Sequence, residues 1–246
     1  MKRIIVILLV LAAVAGIGCA LYPAANNLLW KYESREAAED FLYRAEILPD
    51  IAEAIQAASE VSQPPYYELL CDVQAYNERI YSEGQAGLDS KEAYQAAALE
   101  LADYGLEDGV IGVIFLPSLG LEMPLYLGAS SENMAKGAAV LGQTSLPIGG
   151  VNTNCVIAGH RGWRGADYFR HLDELQIGDA VTVTNLWGEL SYRVTEITVI
   201  QPDDIDAVKI QTSKDILTLI TCHPYASGGR YRLAVYCERD EGLILE

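Results

Sequence analysis

The sequence is poor in residues that staple or ligate. Its five cysteines, Cys19, Cys71, Cys155, Cys222 and Cys237, are odd in number and far apart, with no C-x-x-C pair and no Cys/His array. That spacing speaks against a zinc site and against a disulfide framework, and leaves a single reactive thiol as an option. A chain of 246 residues can bury a core without such staples. Histidine occurs only at His160, His171 and His223, so imidazole chemistry has few places to reside. Positive charge is also scarce: 17 Lys and Arg stand against 34 Asp and Glu, a formal net charge of -17. Such a balance repels phosphate backbones and argues against nucleic-acid binding. Internal repeats and low-complexity segments are absent. The acidic excess is concentrated in residues 33–108, with 18 acids and 4 bases, and reads as solvated helical faces.

One segment lacks charge altogether. After Lys2 and Arg3, residues 4–22 are uncharged and mostly apolar, and Pro23 follows. These 19 residues, at 1.5 Å each, match the ~30 Å hydrocarbon core of a bilayer. The segment is read as an uncleaved signal anchor, with Lys2 and Arg3 inside and the rest of the chain exported. A cleaved signal peptide is the rival, since Ala12-Ala13-Val14-Ala15 offers a small-residue site. Gly16-Ile17-Gly18-Cys19 distantly resembles a lipoprotein acylation site but has no Leu three residues before the Cys.

Beyond the anchor (residues 1–30), the chain divides by pattern into a helical subdomain (31–108), a β-rich domain (109–240) and a tail (241–246). Phe41, Ala45 and Leu48, then Ile51, Ala54 and Ile55, recur at helical spacing. Breaks fall at Gln63-Pro64-Pro65 and at 83–87, giving two or three helices. From residue 110 short β-rich runs alternate with Gly and Pro: 110–116, 122–127, 155–158, 180–185, 190–200, 216–222 and 232–238. Runs of this kind imply a closed or nearly closed barrel or a sandwich. Helical inserts are expected at 131–138, capped by Ser130 or Ser131, and at 166–175.

Chemistry can reside in few positions. Cysteine attacks as thiolate, so a catalytic thiol needs an imidazole or cationic neighbour and access to solvent. Cys222 ends a β-like run and is followed directly by His223. Consecutive strand residues point to opposite faces, so that adjacency argues against a Cys222–His223 pair. His160 ends another apolar strand between Gly159 and the Arg161-Gly162 pair, a placement suited to a rim. His171 reads as a surface helix residue. Arg232 begins the strand after Cys222, and an antiparallel connection would bring both to one sheet edge. At this level Cys222 is either a nucleophile or a packed thiol, and Arg230 and Arg232 are either site residues or strand-surface charges.

The run Thr218-Leu219-Ile220-Thr221-Cys222 resembles the Thr-Leu-x-Thr-Cys signature of the sortases, membrane-anchored cysteine transpeptidases of Gram-positive bacteria. A second sortase signature, a strand running into Gly-His, is matched by Ala158-Gly159-His160-Arg161-Gly162. The resemblance extends over about 109–238, including Thr144-Ser145-Leu146-Pro147 and Leu172-Asp173-Glu174-Leu175. It implies a mainly β fold, an eight-stranded sortase barrel, and no metal or cofactor. It also implies an L-P-x-T-G-like protein substrate cleaved between Thr and Gly, with transfer of the acyl group to an amine. In those terms Cys222 is the nucleophile, His160 the acid/base and Arg232 the donor that steadies substrate or oxyanion. Arg232 is preferred to Arg230 because Arg232-Leu233-Ala234-Val235 fits the Arg-then-apolar strand pattern. Cys155 and Cys237 match no catalytic position and are read as packed thiols.

The helical N-terminal region and the Gly-His-Arg-Gly loop look like class C sortases, in which the incoming amine is a pilin lysine. A cell-wall precursor amine is the alternative, and an inactive membrane-tethered binding domain the reading from another class. Class C members usually carry an Asp-Pro-aromatic lid. Gly87-Leu88-Asp89-Ser90 is the nearest counterpart here and lacks both Pro and aromatic. The implied location is the cell membrane, single-pass, with the catalytic domain outside.

Overall fold

In a computed structural model, residues 2–56, 63–88 and 91–240 are described. Asp89, Ser90 and the tail from residue 241 lie outside them, as does part of the lid counterpart. Helix α1 (Lys2–Gln56) runs unbroken through Pro23 and past residue 30. Its first stretch is apolar and exposed, with 55–65% exposure from Ile4 to Leu11, a candidate membrane span. Further along the character switches: Trp30, Ala38 and Phe41 are buried against the rest of the protein. One helix therefore leaves its apolar residues bare at one end and packs them at the other.

Helix α2 (Tyr67–Ser82) buries Leu69, Val73, Tyr76 and Ile80, a stripe at spacings of three and four. Asn77 on the same face clamps Leu146, accepting from its N–H at 2.7 Å and donating to its carbonyl at 3.2 Å. Helix α3 (Lys91–Gln95) is a single turn. Helix α4 (Ser131–Lys136) begins at Ser130, whose hydroxyl accepts from the Asn133 N–H, as expected of an N-cap.

Eight strands close a barrel in the order β1-β2-β3-β4-β9-β10-β8-β7. They are β1 (Val110–Leu116), β2 (Leu121–Leu127), β3 (Ala138–Val140), β4 (Thr153–Ala158), β7 (Ala180–Asn185), β8 (Gly188–Ile200), β9 (Asp215–His223) and β10 (Tyr231–Arg239). Seven of these coincide with the predicted runs. Strand β3 was not anticipated, because Ala-Ala-Val is too short to carry a period. Leu217 and Leu219 on β9, Ile157 on β4, and Leu233 and Val235 on β10 fill the interior. The alternate residues Val156, Ile220 and Ala234 form a second apolar layer, with Val208 and Leu88, on the outer face.

The helix expected at 166–175 is corrected by the structure. Residues Ala166–Tyr168 form strand β6, paired antiparallel with β5 (Arg161–Trp163) in a separate two-stranded hairpin, and only Leu172–Glu174 makes a 3-10 turn. The hairpin turn carries Arg164 at φ 51 and Gly165 at φ 94, a left-handed pair that reverses the chain and prevents a helix starting there. His171 accordingly stands before the 3-10 turn, exposed and bonded to Glu174 at 2.7 Å.

Candidate active site

Three adjacent strands set the site. Strand β4 runs parallel to β9 with Ala158 beside Ile220, and the backbone ladder continues as the Gly159 N–H donates to the Ile220 carbonyl at 3.1 Å. Two residues further along each chain stand His160 and Cys222. On the other side β10 runs antiparallel to β9, and Arg232 is the direct partner of Cys222. The register therefore makes Cys222 and Arg232 direct partners on neighbouring strands ~4.8 Å apart, and brings His160, two residues past the end of β4, to the same end of the sheet.

The two threonines of the Thr-Leu-x-Thr-Cys run hold that register. Both are buried, at 0% and 2% exposure, where an unpaired hydroxyl would be costly. The Thr218 hydroxyl donates to Asn154 Oδ1 at 2.8 Å, and the Thr221 hydroxyl donates to the Gly159 carbonyl at 2.8 Å. Both bonds tie β9 to β4, the second of them directly beside His160 and Cys222. Gly159 is required by packing: a Cβ there would lie 2.5 Å from the Phe169 ring.

His160 is half-buried in an aromatic corner. Its ring stacks on Trp163 with centroids 5.2 Å apart and meets the edge of Tyr168 at 5.6 Å. Burial pushes its pKa below the usual histidine value, so the neutral imidazole is favoured and its conjugate acid gives up a proton readily. Arg232 is oriented by backbone, its Nη1 donating to the carbonyls of Gly229 at 2.7 Å and Tyr231 at 3.0 Å. A Cβ on Gly229 would meet both this Nη1, at 3.0 Å, and Cys222 Sγ, at 3.3 Å, which places the Gly229 backbone beside thiol and guanidinium. Arg230 is exposed in the connecting turn, with its N–H on Ser227.

His223 turns away, as strand alternation predicted. Its Nδ1 lies 2.7 Å from Arg161 Nη1, and Arg161 Nη2 pairs with Asp173 at 2.5 Å. Arginine only donates, so Nδ1 accepts and the His223 proton sits on Nε2. Arg161 is 7% exposed and was not singled out from sequence. Cys155 and Cys237 are buried packed thiols whose pKa values burial raises, that of Cys237 to about 12.

A groove of about 300 Å³ lies on the outer face alongside this row. Ala158, Ile220, Ile200 and Val208 give it apolar walls, and Arg232 also lines it. Tyr94 and Gln95 line it too, which the sequence did not signal. The segment carrying them rests on two glycines: a Cβ on Gly142 would be 2.0 Å from the Ala93 carbonyl, and one on Gly128 2.5 Å from that of Gln95. Among the described residues, no cluster of His, Cys, Asp and Glu is arranged to hold a metal.

A closed barrel that brings a thiol, an imidazole and a guanidinium to one end of its sheet offers the groups that cysteine acyl transfer needs. The family model of the sortase domain matches residues 114–240, and the chain belongs to the sortase family, whose members are cysteine transpeptidases. It is similar to class C sortases of known structure. Sortase C-1 of Streptococcus pneumoniae is 28% identical with a TM-score of 0.69, the match covering 85% of this chain and 100% of that one. Sortase C1 of the group B Streptococcus pilus island 1 is 30% identical with a TM-score of 0.66, covering 76% and 95%. Sortase D of Bacillus subtilis (strain 168) is 27% identical over 130 residues, which make up 52% of this chain and 63% of that relative.

Proposed function

We propose that this protein is a transpeptidase that cleaves an LPxTG-like sorting signal between Thr and Gly and passes the acyl group to an amine, a pilin lysine. The observation that supports the reading is the register that pairs Cys222 with Arg232 and brings His160, just past β4, to the end of the sheet where Ala158, Ile220 and Arg232 line an apolar groove. A groove with aliphatic walls suits the Leu-Pro part of such a signal. Similarity to sortase C1 of a pilus island supports the choice of lysine.

In this mechanism the Cys222 proton passes to His160, and the thiolate attacks the Thr carbonyl carbon. Arg232 donates to the oxyanion of the tetrahedral intermediate. The C–N bond breaks as His160 returns its proton to the departing Gly amine, leaving a thioester on Cys222. An incoming ε-amine then attacks the thioester, His160 removes its surplus proton, and the Cys222 thiolate leaves to be reprotonated. The burial that lowers the His160 pKa favours the protonation of the leaving amine. The apolar helix would hold the catalytic domain at the cell membrane, on its outer side.

The test is mass spectrometry of products formed by the full chain from an LPxTG-type peptide, offered a pilin-derived lysine peptide or a wall-precursor peptide amine. The expected product is the isopeptide with the pilin lysine, and Cys222→Ala yields none. Cleavage by Cys222→Ala would refute the assignment. A product joined only to the wall-precursor amine would refute the pilin part alone, and release of the free acid only would make the protein a hydrolase.

A further inference from the structure

The hairpin formed by β5 and β6 is bound to the helix that carries the apolar segment. A Cβ on Gly165 would lie 2.7 Å from Pro23 Cα and 2.7 Å from its carbonyl oxygen, so the hairpin turn lies directly on the helix backbone. Asn26 Nδ2 donates to the Arg164 carbonyl at 2.8 Å. Asn27 bonds Asp167 twice, donating to Oδ2 at 2.8 Å and accepting from its N–H at 3.1 Å. Lys31 pairs with the same carboxylate at 3.1 Å, and the Trp30 and Tyr168 rings lie 4.3 Å apart. These contacts fix the height of the hairpin along the helix.

That height can be read against a bilayer. The uncharged residues 4–22 fill one hydrocarbon thickness at 1.5 Å per residue, and the headgroup layer beyond adds ~5–7 Å, or about four more helical residues. The hairpin turn meets the helix at Pro23 and Asn26, within that layer. We infer that the β5–β6 turn, Trp163-Arg164-Gly165, is seated among phospholipid headgroups and forms a second contact with the membrane beside the helix. The inference rests on reading residues 4–22 as the membrane anchor.

The side chains suit that place. Trp163 is amphipathic and partly exposed, as are the aromatic residues that collect at membrane interfaces. Arg164 is exposed, with its guanidinium carbon 4.3 Å from the Trp163 ring centroid. Among the described residues it makes no ion pair with a carboxylate, and its guanidinium suits a lipid phosphate. The neighbouring carboxylate, Asp167, is already bonded to Asn27, Lys31 and Arg170 and presents little unpaired negative charge to the lipid. In a chain of net charge -17, this places a cation where an anionic surface is nearest. Trp163 also stacks on His160, so the residue that contacts lipid is one side chain away from the candidate site.

The test uses the full chain reconstituted in phosphatidylcholine and phosphatidylglycerol vesicles carrying lipids brominated either near the headgroup or deep in the acyl chains. Flotation with the vesicles reports the anchor, and tryptophan quenching reports the hairpin. Trp163→Phe isolates the Trp163 signal from those of Trp30 and Trp187, with thermal unfolding as the check on folding. The expected result is that shallow bromines quench the wild type more than deep ones, and that Trp163→Phe loses most of the shallow quenching. Arg164→Glu, a change at an exposed position, should also reduce it while flotation persists. A chain that floats with its vesicles but shows the same shallow quenching with and without Trp163 would overturn the hairpin contact and leave the anchor standing. A chain that does not float would overturn both.

Discussion

Replacing Thr221 by Val removes one hydroxyl and keeps the volume and branching of the side chain. The lost bond is the 2.8 Å contact to the Gly159 carbonyl, at a side chain only 2% exposed. A buried carbonyl deprived of its partner costs about 1–3 kcal/mol. For a chain of this size each kcal/mol moves the midpoint by about 2–4 °C, so a fall of several degrees is expected in thermal unfolding. The kinetic effect should be larger than the stability loss suggests. Gly159 is the residue before His160, and a reacting group displaced by ~1 Å can lose about a hundredfold in rate. The expected pattern in a peptide-cleavage assay is a lower kcat with a nearly unchanged KM, since the groove walls are untouched. Thr218→Val is the control: it breaks an equally buried bond, to Asn154, three residues further from the rim along β9. It should cost similar stability with a smaller loss of kcat. Equal kcat losses in the two variants, or a stable and fully active Thr221→Val, would refute the view that Thr221 aligns the two strands for chemistry.

Alkylation under native conditions should modify Cys222 and spare Cys155 and Cys237, which peptide mapping would show directly; both of the latter are buried and their thiolates disfavoured. Burial lowers the His160 pKa in the folded state, so below the ordinary value of about 6.5 the unfolded chain takes up a proton first. The His160 contribution to stability should therefore fall as pH drops from that value to the folded one. It should be unchanged above it, and a His160→Gln variant should lack this component in denaturant titrations across pH. Gly142→Ala would set a Cβ 2.0 Å from the Ala93 carbonyl and force the α3 segment off the groove, at a cost of roughly 1–3 kcal/mol. The expected kinetic result is an altered KM for the peptide, and an unchanged KM would mean that Tyr94 and Gln95 do not border the bound substrate.

Long periodic strands and a short chemical signature were legible in the sequence. Alternation along the strand separates His223 from Cys222 in the sequence itself, and in the structure the same alternation sends Leu217 and Leu219 to the interior and Ile220 to the outer layer. What was hidden had a common cause: it depended on contacts between distant parts of the chain. Residues 166–175 look amphipathic by composition, yet the left-handed turn at Arg164 and Gly165 makes a hairpin of their first part. Gly162-Trp163-Arg164-Gly165 holds two glycines three positions apart, the one local hint of such a turn. Nothing local marks Arg161 as a buried residue, because Asp173 and His223 reach it only through the fold. The seat of the α3 segment on Gly128 and Gly142 is a backbone-to-backbone fit, and absent side chains leave no pattern to read.

Closure of the barrel has a consequence for selectivity. Each of its eight strands is bordered on both sides by another, with β7 joined to β1 to complete the ring. Closure leaves the barrel without an edge strand, so backbone pairing with an arriving peptide is limited to places where a ladder is incomplete, such as residues 196–200 of β8, which pair with β10 alone. With so little edge on offer, discrimination rests mainly on side chains and loops that read the peptide's own side chains one by one. Substitutions among the groove residues should accordingly change which sequences are accepted, far more than how tightly any extended peptide is held.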